Sequence, residues 1–118
     1  MLWRKAYETE SVPVEGIELP IGLPDDCAFL MGPLNRWSEM MVWERLVAEK
    51  GSPVWFGIQA DAAMAQAVIP RSRLDRVLLM DGVADEVLAV VIHDGQAVLA
   101  MRGKATESAL DRFMEAMV

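Results

Sequence analysis

Asp94-Gly95, set between the apolar runs Val87–His93 and Gln96–Arg102, constrains this chain more than any other feature. A two-residue hairpin turn of this type needs positive φ at both positions, and Asp-Gly tolerates it. The two runs are therefore expected to pair as antiparallel strands. Val87, Leu88, Val90, Val91 and Ile92 put apolar side chains on both faces of the first strand. A strand buried on both faces needs cover on both sides, most simply from helices.

The flanking sequence offers such helices. Cys27–Met31 is a short apolar run bounded by Asp25-Asp26 and Gly32-Pro33, which reads as a buried strand. Asn35 or Ser38 can cap the helix that follows. In it Trp37, Met40, Met41, Glu44 and Val47 lie three and four residues apart, with Trp43 and Leu46 widening the stripe. Gly51 and Pro53 close that helix. Pro53–Ile58 reads as a second strand. Asp61 caps an alanine-rich helix, Ala62–Ile69, which Pro70 ends. Arg76–Met80 is a third short strand. After the hairpin, Thr106 caps a last helix whose buried stripe is Leu110, Phe113, Met114 and Met117. The expected order is β-α-β-α-β-β-β-α: an α/β domain with a mixed sheet between helical layers.

Residues 1–24 differ from the rest. Pro13, Pro20 and Pro24 interrupt them, while Ile17, Leu19, Ile21 and Leu23 alternate with Glu18, Pro20 and Gly22. Alternation with proline implies an extended arm or edge strand. The plainer reading is a strap over the domain's own core; the alternative is an arm that docks on another chain. The expected organisation is an arm over 1–24 and one α/β domain over 25–118, since 118 residues suffice for one core.

Charge and composition exclude several roles. The net charge is −7, with −2 over residues 1–24, −2 over 25–60 and −3 over 61–118. Nucleic acid is then a poor partner, because phosphate binding needs a positive face. The only local basic cluster, Arg71, Arg73 and Arg76, is interrupted by Asp75 and reads as a solvated turn. No apolar run approaches the roughly 18 residues of a membrane helix, and Met1–Lys5 is not followed by the apolar stretch of a secretory signal. With one cysteine and one histidine, no intramolecular disulfide or cysteine-rich metal site can form. No cofactor is expected, because the glycines form neither G-x-G-x-x-G nor a P-loop. A lone thiol fits the cytoplasm.

The element order, with its closing hairpin and helix, resembles the thioredoxin-like fold. The likeness is best from Val87 onward: apolar strand, Asp-Gly turn, second strand, Gly103 and amphipathic helix. Cys27–Met41 is similar, more loosely, to a first strand and active-site helix. Trp55–Gln59, the alanine-rich helix and Leu74–Gly82 resemble the small DCC-type thiol–disulfide proteins. That resemblance implies redox chemistry through Cys-x-x-Cys at the start of the first helix and a cis-proline just before the hairpin. Here Leu30 stands three residues after Cys27, and no proline follows Pro70. Both elements of the redox site are missing.

Other candidates for chemistry are few. Cys27 follows Asp25-Asp26, whose charges disfavour a thiolate, and leads into an apolar run. It is the only candidate catalytic residue, and a weak one. His93 ends a hairpin strand beside Asp94 and reads as an exposed histidine; a Cys27–His93 dyad would require hydrogen-bond reach. Asp25-Asp26 and Asp85-Glu86 read as loop charges. The four tryptophans and nine methionines point to contacts instead. Trp37 and Trp43 lie about 240° apart around one helix, so one faces the core and the other is left partly exposed. Trp3, Tyr7, Ile17, Leu19, Trp37, Met40 and Trp43 are the candidate partner-binding residues. The expectation is a redox-inactive thioredoxin-like domain that binds another protein, as an assembly factor or small subunit of a larger complex. The alternatives are a one-thiol redox enzyme using Cys27 and an acidic immunity-type inhibitor.

Overall fold

The computed structural model describes residues 9–49, 51–83 and 85–117. Trp3 and Tyr7 lie outside this range. The strands are β1 (Glu10–Val12), β2 (Cys27–Pro33), β3 (Val54–Gln59), β4 (Val77–Leu79), β5 (Leu88–His93) and β6 (Gln96–Arg102). The helices are α1 (Trp37–Ala48), α2 (Ala62–Val68), α3 (Arg71–Leu74) and α4 (Glu107–Ala116). Six strands form one mixed sheet in the order β1-β6-β5-β2-β3-β4. β2, β3 and β4 run parallel, while β5 is antiparallel to β2, and β6 to β5. The chain is thus of the α/β class its patterning indicates.

The Asp94-Gly95 turn forms as the sequence dictates, with φ of 52° and 77°. A bulge between Val91 and Ile92 shifts the register of the hairpin. Two of the expected caps also form. Met64 N donates to Asp61 Oδ1 at 2.8 Å, and Ala109 N donates to Thr106 Oγ1 at 3.2 Å. The start of α1 is different. A single 3₁₀ turn, Leu34–Arg36, precedes it, and its first turn has no side-chain cap from Asn35 or Ser38. Pro33 sets the extended backbone from which that turn starts (φ −72°, ψ 156°).

Alternation along the strands divides the core in two. On one face Ala28, Leu30, Val54, Phe56, Ile58, Ala89, Val91 and Met101 pack against Met40, Trp43 and Val47 of α1, Ala65 of α2 and Phe113 of α4. On the other lie Cys27, Phe29, Val90, Ile92 and Ala100. Their cover is not a helical layer, as the two-sided burial of β5 suggests, but the N-terminal segment: Val12, Val14, Ile17, Leu19 and Leu23 pack there. A short extended strap suffices because this cluster is smaller. Gly57 lets the layers close, since a Cβ there would come within 2.6 Å of Phe29 Cζ and nearer still to Met80 Sδ.

The strap is fastened at the β6 margin of the sheet. β1 pairs antiparallel with β6, Ser11 opposite Met101. Arg102 Nη2 donates to Glu10 Oε2 at 2.9 Å, Thr9 Oγ1 donates to the Lys104 carbonyl, and Arg112 donates to Ser11 Oγ. Farther along, Ile17 N donates to Val14 O at 3.3 Å, closing a turn with Gly16 at φ +85°. Positive φ at the third position is what such a turn demands, and glycine meets it without strain. Ile21 alone among the alternating residues points out, 98% exposed.

Candidate functional site

Cys27 opens β2, so it lies at the amino end of that strand. α1 grows from the carboxyl end, roughly 20 Å away at about 3.3 Å per residue. The thiol is 1% exposed within the strap-covered cluster, and its Sγ lies 3.8 Å from the Pro24 carbonyl. Burial first, then the charge of Asp26, pushes its pKa up to about 11. A thiol so placed holds almost no thiolate at neutral pH, and the thiolate is the nucleophile.

His93 does gain an orienting partner, and it comes from far along the chain. Asp26 Oδ1 lies 2.8 Å from His93 Nδ1 and accepts from Asp94 N at 3.3 Å, while Gly95 N donates to Asp25 O at 2.9 Å. The turn tip is thereby tied to the segment before β2. Asp94 Oδ2 lies 3.7 Å from His93 Nε2, so Asp26, His93 and Asp94 form a group that could ligate a cation, all three in solvent. Cys27 does not join it: its sulfur bonds toward Pro24. Sequence separation of 67 residues left no local signal for the Asp26–His93 contact.

The candidate partner-binding residues are dispersed. Met40 and Trp43 are fully buried, which removes them from any surface a partner can reach. Trp43 Nε1 donates to Gly103 O at 3.0 Å and its ring meets Phe113 at 5.4 Å, so both its polar and its apolar needs are met within the domain. Trp37 is half-buried against Phe56, with ring centroids 5.1 Å apart. Ile17 and Leu19 are half-buried in the strap. On α1 the large apolar side chain left open is Val42, with Met41 half-buried against the core beside it; both border a shallow surface depression that also includes Arg45, Ala48 and Glu49.

Of the basic cluster Arg71 is exposed, but Arg73 and Arg76 are not simply solvated. Arg73 Nε and Nη2 donate to the two oxygens of Glu44 at 2.7 and 2.8 Å, and Arg76 Nη2 lies 3.7 Å from the same carboxylate. Arg76 Nη1 also donates to Val54 O at 3.0 Å. Glu44 is 6% exposed, so this pairing satisfies a carboxylate buried under the helix–sheet layer. A glutamate on an otherwise apolar helical stripe was the available sign of such a partner.

One cleft is built by separate elements converging. The turn of the strap contributes Gly16, Ile17 and Glu18; Met31 comes from β2 and Leu88 from β5; Met80, Asp81, Gly82 and Val83 follow β4. Its volume is about 320 Å³. Val83 N donates to Gln59 Oε1 at 3.3 Å and Met80 N to Ile58 O at 2.9 Å, which fixes the far wall to the end of β3. The cleft therefore opens beside the carboxyl ends of the parallel strands, where open α/β sheets place their ligand crevices. Its five large apolar side chains are half-buried, and Glu18 and Asp81 stand exposed at its rim. Comparison with protein-family models, curated proteins and solved structures finds no match.

Proposed function

We propose that this chain is a redox-inactive, thioredoxin-like binding protein, a small subunit or assembly factor of a larger cytoplasmic protein complex. One observation carries the reading. The only thiol lies buried at the amino end of β2 with its pKa raised to about 11, at the opposite end of the strand from the start of α1. A thioredoxin-like reaction needs its nucleophile at the start of that helix, where this chain has Leu34, Asn35 and Arg36.

The thioredoxin-like likeness is supported by β2-α1-β3 running parallel, then an antiparallel hairpin and a closing helix. Binding is supported by apolar side chains that the domain leaves open: Ile21, Val42, Met64, Val68, Leu79 and Val98 are all at least 44% exposed. Among the described residues no helix is long and apolar enough to cross a membrane.

The test is mild affinity purification of the tagged chain from its own host, followed by intact-complex mass determination. A stoichiometric heteromeric complex is expected. A lone monomer or homodimer, joined to thiol-dependent turnover lost in Cys27→Ser, would replace this reading with a one-thiol enzyme.

A further inference from the structure

We infer that the cleft between the strap and the carboxyl ends of β2 and β4 receives a basic segment of the partner protein, an apolar side chain flanked by lysine or arginine. This inference rests on the binding reading above and adds to it the chemistry of the partner and the place it docks.

The cleft has the two surfaces such a segment needs. Ile17, Met31, Met80, Val83 and Leu88 make an apolar floor that the fold leaves half-covered. Two of the five are methionines, whose unbranched thioethers adapt to an incoming side chain. A volume of about 320 Å³ holds one or two side chains, not an extended cofactor. Glu18 on one wall and Asp81 on the other are exposed, and neither makes an ion pair among the described residues. Among the described residues no basic side chain lines the cleft. Two carboxylates without an ion pair among the described residues, flanking an apolar floor, favour a cation beside an apolar anchor and oppose an acidic segment. The net charge of −7 acts in the same direction at longer range, steering basic partners inward.

The walls are also held in place. Gly16 at φ +85° turns Ile17 inward, and the Gln59–Val83 bond holds the opposite loop. A preformed cleft costs little ordering when it is filled.

The experiment is amide chemical-shift mapping of the full chain with two short synthetic peptides, one alternating lysine with leucine and one alternating glutamate with leucine. The basic peptide is expected to shift Gly16–Glu18 and Met80–Val83, and the acidic peptide to leave them unmoved. Glu18→Gln with Asp81→Asn should weaken the basic peptide about fivefold, since each exposed pair is individually small. Glu107→Gln with Asp111→Asn changes net charge equally at α4 and should weaken it less. Shifts spread over the whole acidic surface, or equal loss in both double variants, would overturn the inference. A host complex that survives Glu18→Gln with Asp81→Asn unchanged would overturn it too, while leaving the binding reading standing. Absence of any host complex would remove the binding reading itself.

Discussion

The Arg73 guanidinium grips the Glu44 carboxylate through two parallel hydrogen bonds, although the residues are 29 apart in sequence. The bonds join α1 to α3 and lock the segment that carries the chain into β4. They also push the Arg73 pKa above its ordinary value, mainly through the hydrogen bond to Glu44. Removing the arginine leaves a nearly buried carboxylate with only Arg76 near it. Arg73→Ala is therefore expected to cost about 2 kcal/mol, below the usual cost for a fully buried pair because Arg73 is itself partly exposed. Arg73→Lys should recover only part of this, because an ammonium cannot span both oxygens. Urea unfolding of the two variants checks the order.

Cys27 gives stability a pH dependence with a definite sign. Its folded pKa is raised to about 11 from an ordinary value of 9.0. Above pH 9 the unfolded chain sheds a proton that the folded chain keeps, so the unfolded state binds fewer protons and stability falls as pH rises. The contribution is fully present below about 9 and lost as pH passes through about 11. Unfolding free energies of the wild type and Cys27→Ala should diverge across that window and run parallel below it.

The hairpin supplies a backbone test. Asp94 and Gly95 both have positive φ. Gly95→Ala should cost about 1–2 kcal/mol, because an L side chain is disfavoured there, while Asp94→Gly should be close to neutral. A Cβ at position 95 would stand 3.5 Å from Asp25 Oδ1, an ordinary contact, so the loss would report backbone conformation alone.

Trp43 is a folding residue, not a binding residue. Trp43→Ala should lose about 3–5 kcal/mol, typical of deleting a buried aromatic, and Trp43→Phe should lose less, leaving the Gly103 carbonyl without its donor. Circular dichroism melts will show both. A partner lost on Trp43→Ala therefore says nothing about an interface.

Local signals read well in this sequence, and long-range ones did not. The Asp94-Gly95 turn, the Asp61 and Thr106 caps and the apolar runs of β2, β3, β5 and β6 declared themselves because each depends on neighbours in the chain. β1 did not. Glu10-Ser11-Val12 carries no alternation, and it is a strand only because β6 offers a free edge 90 residues later. The cover of the second face is illegible locally for the same reason: two-sided burial of β5 states that cover exists, not that it is helical. Within α1 the angle between Trp37 and Trp43 separated the two rings without saying which was inward. The cleft was the least legible part, since its lining comes from four separate stretches of chain.

The most direct measurement of the central claim is the intact mass of the complex purified from host cells in which Cys27→Ala replaces the native chain. A binding protein with an inert buried thiol predicts the same heteromeric mass and the same cellular function as the wild type. A complex that forms but fails to support function without the thiol, or activity that vanishes with it, would contradict the account and make Cys27 a reacting group.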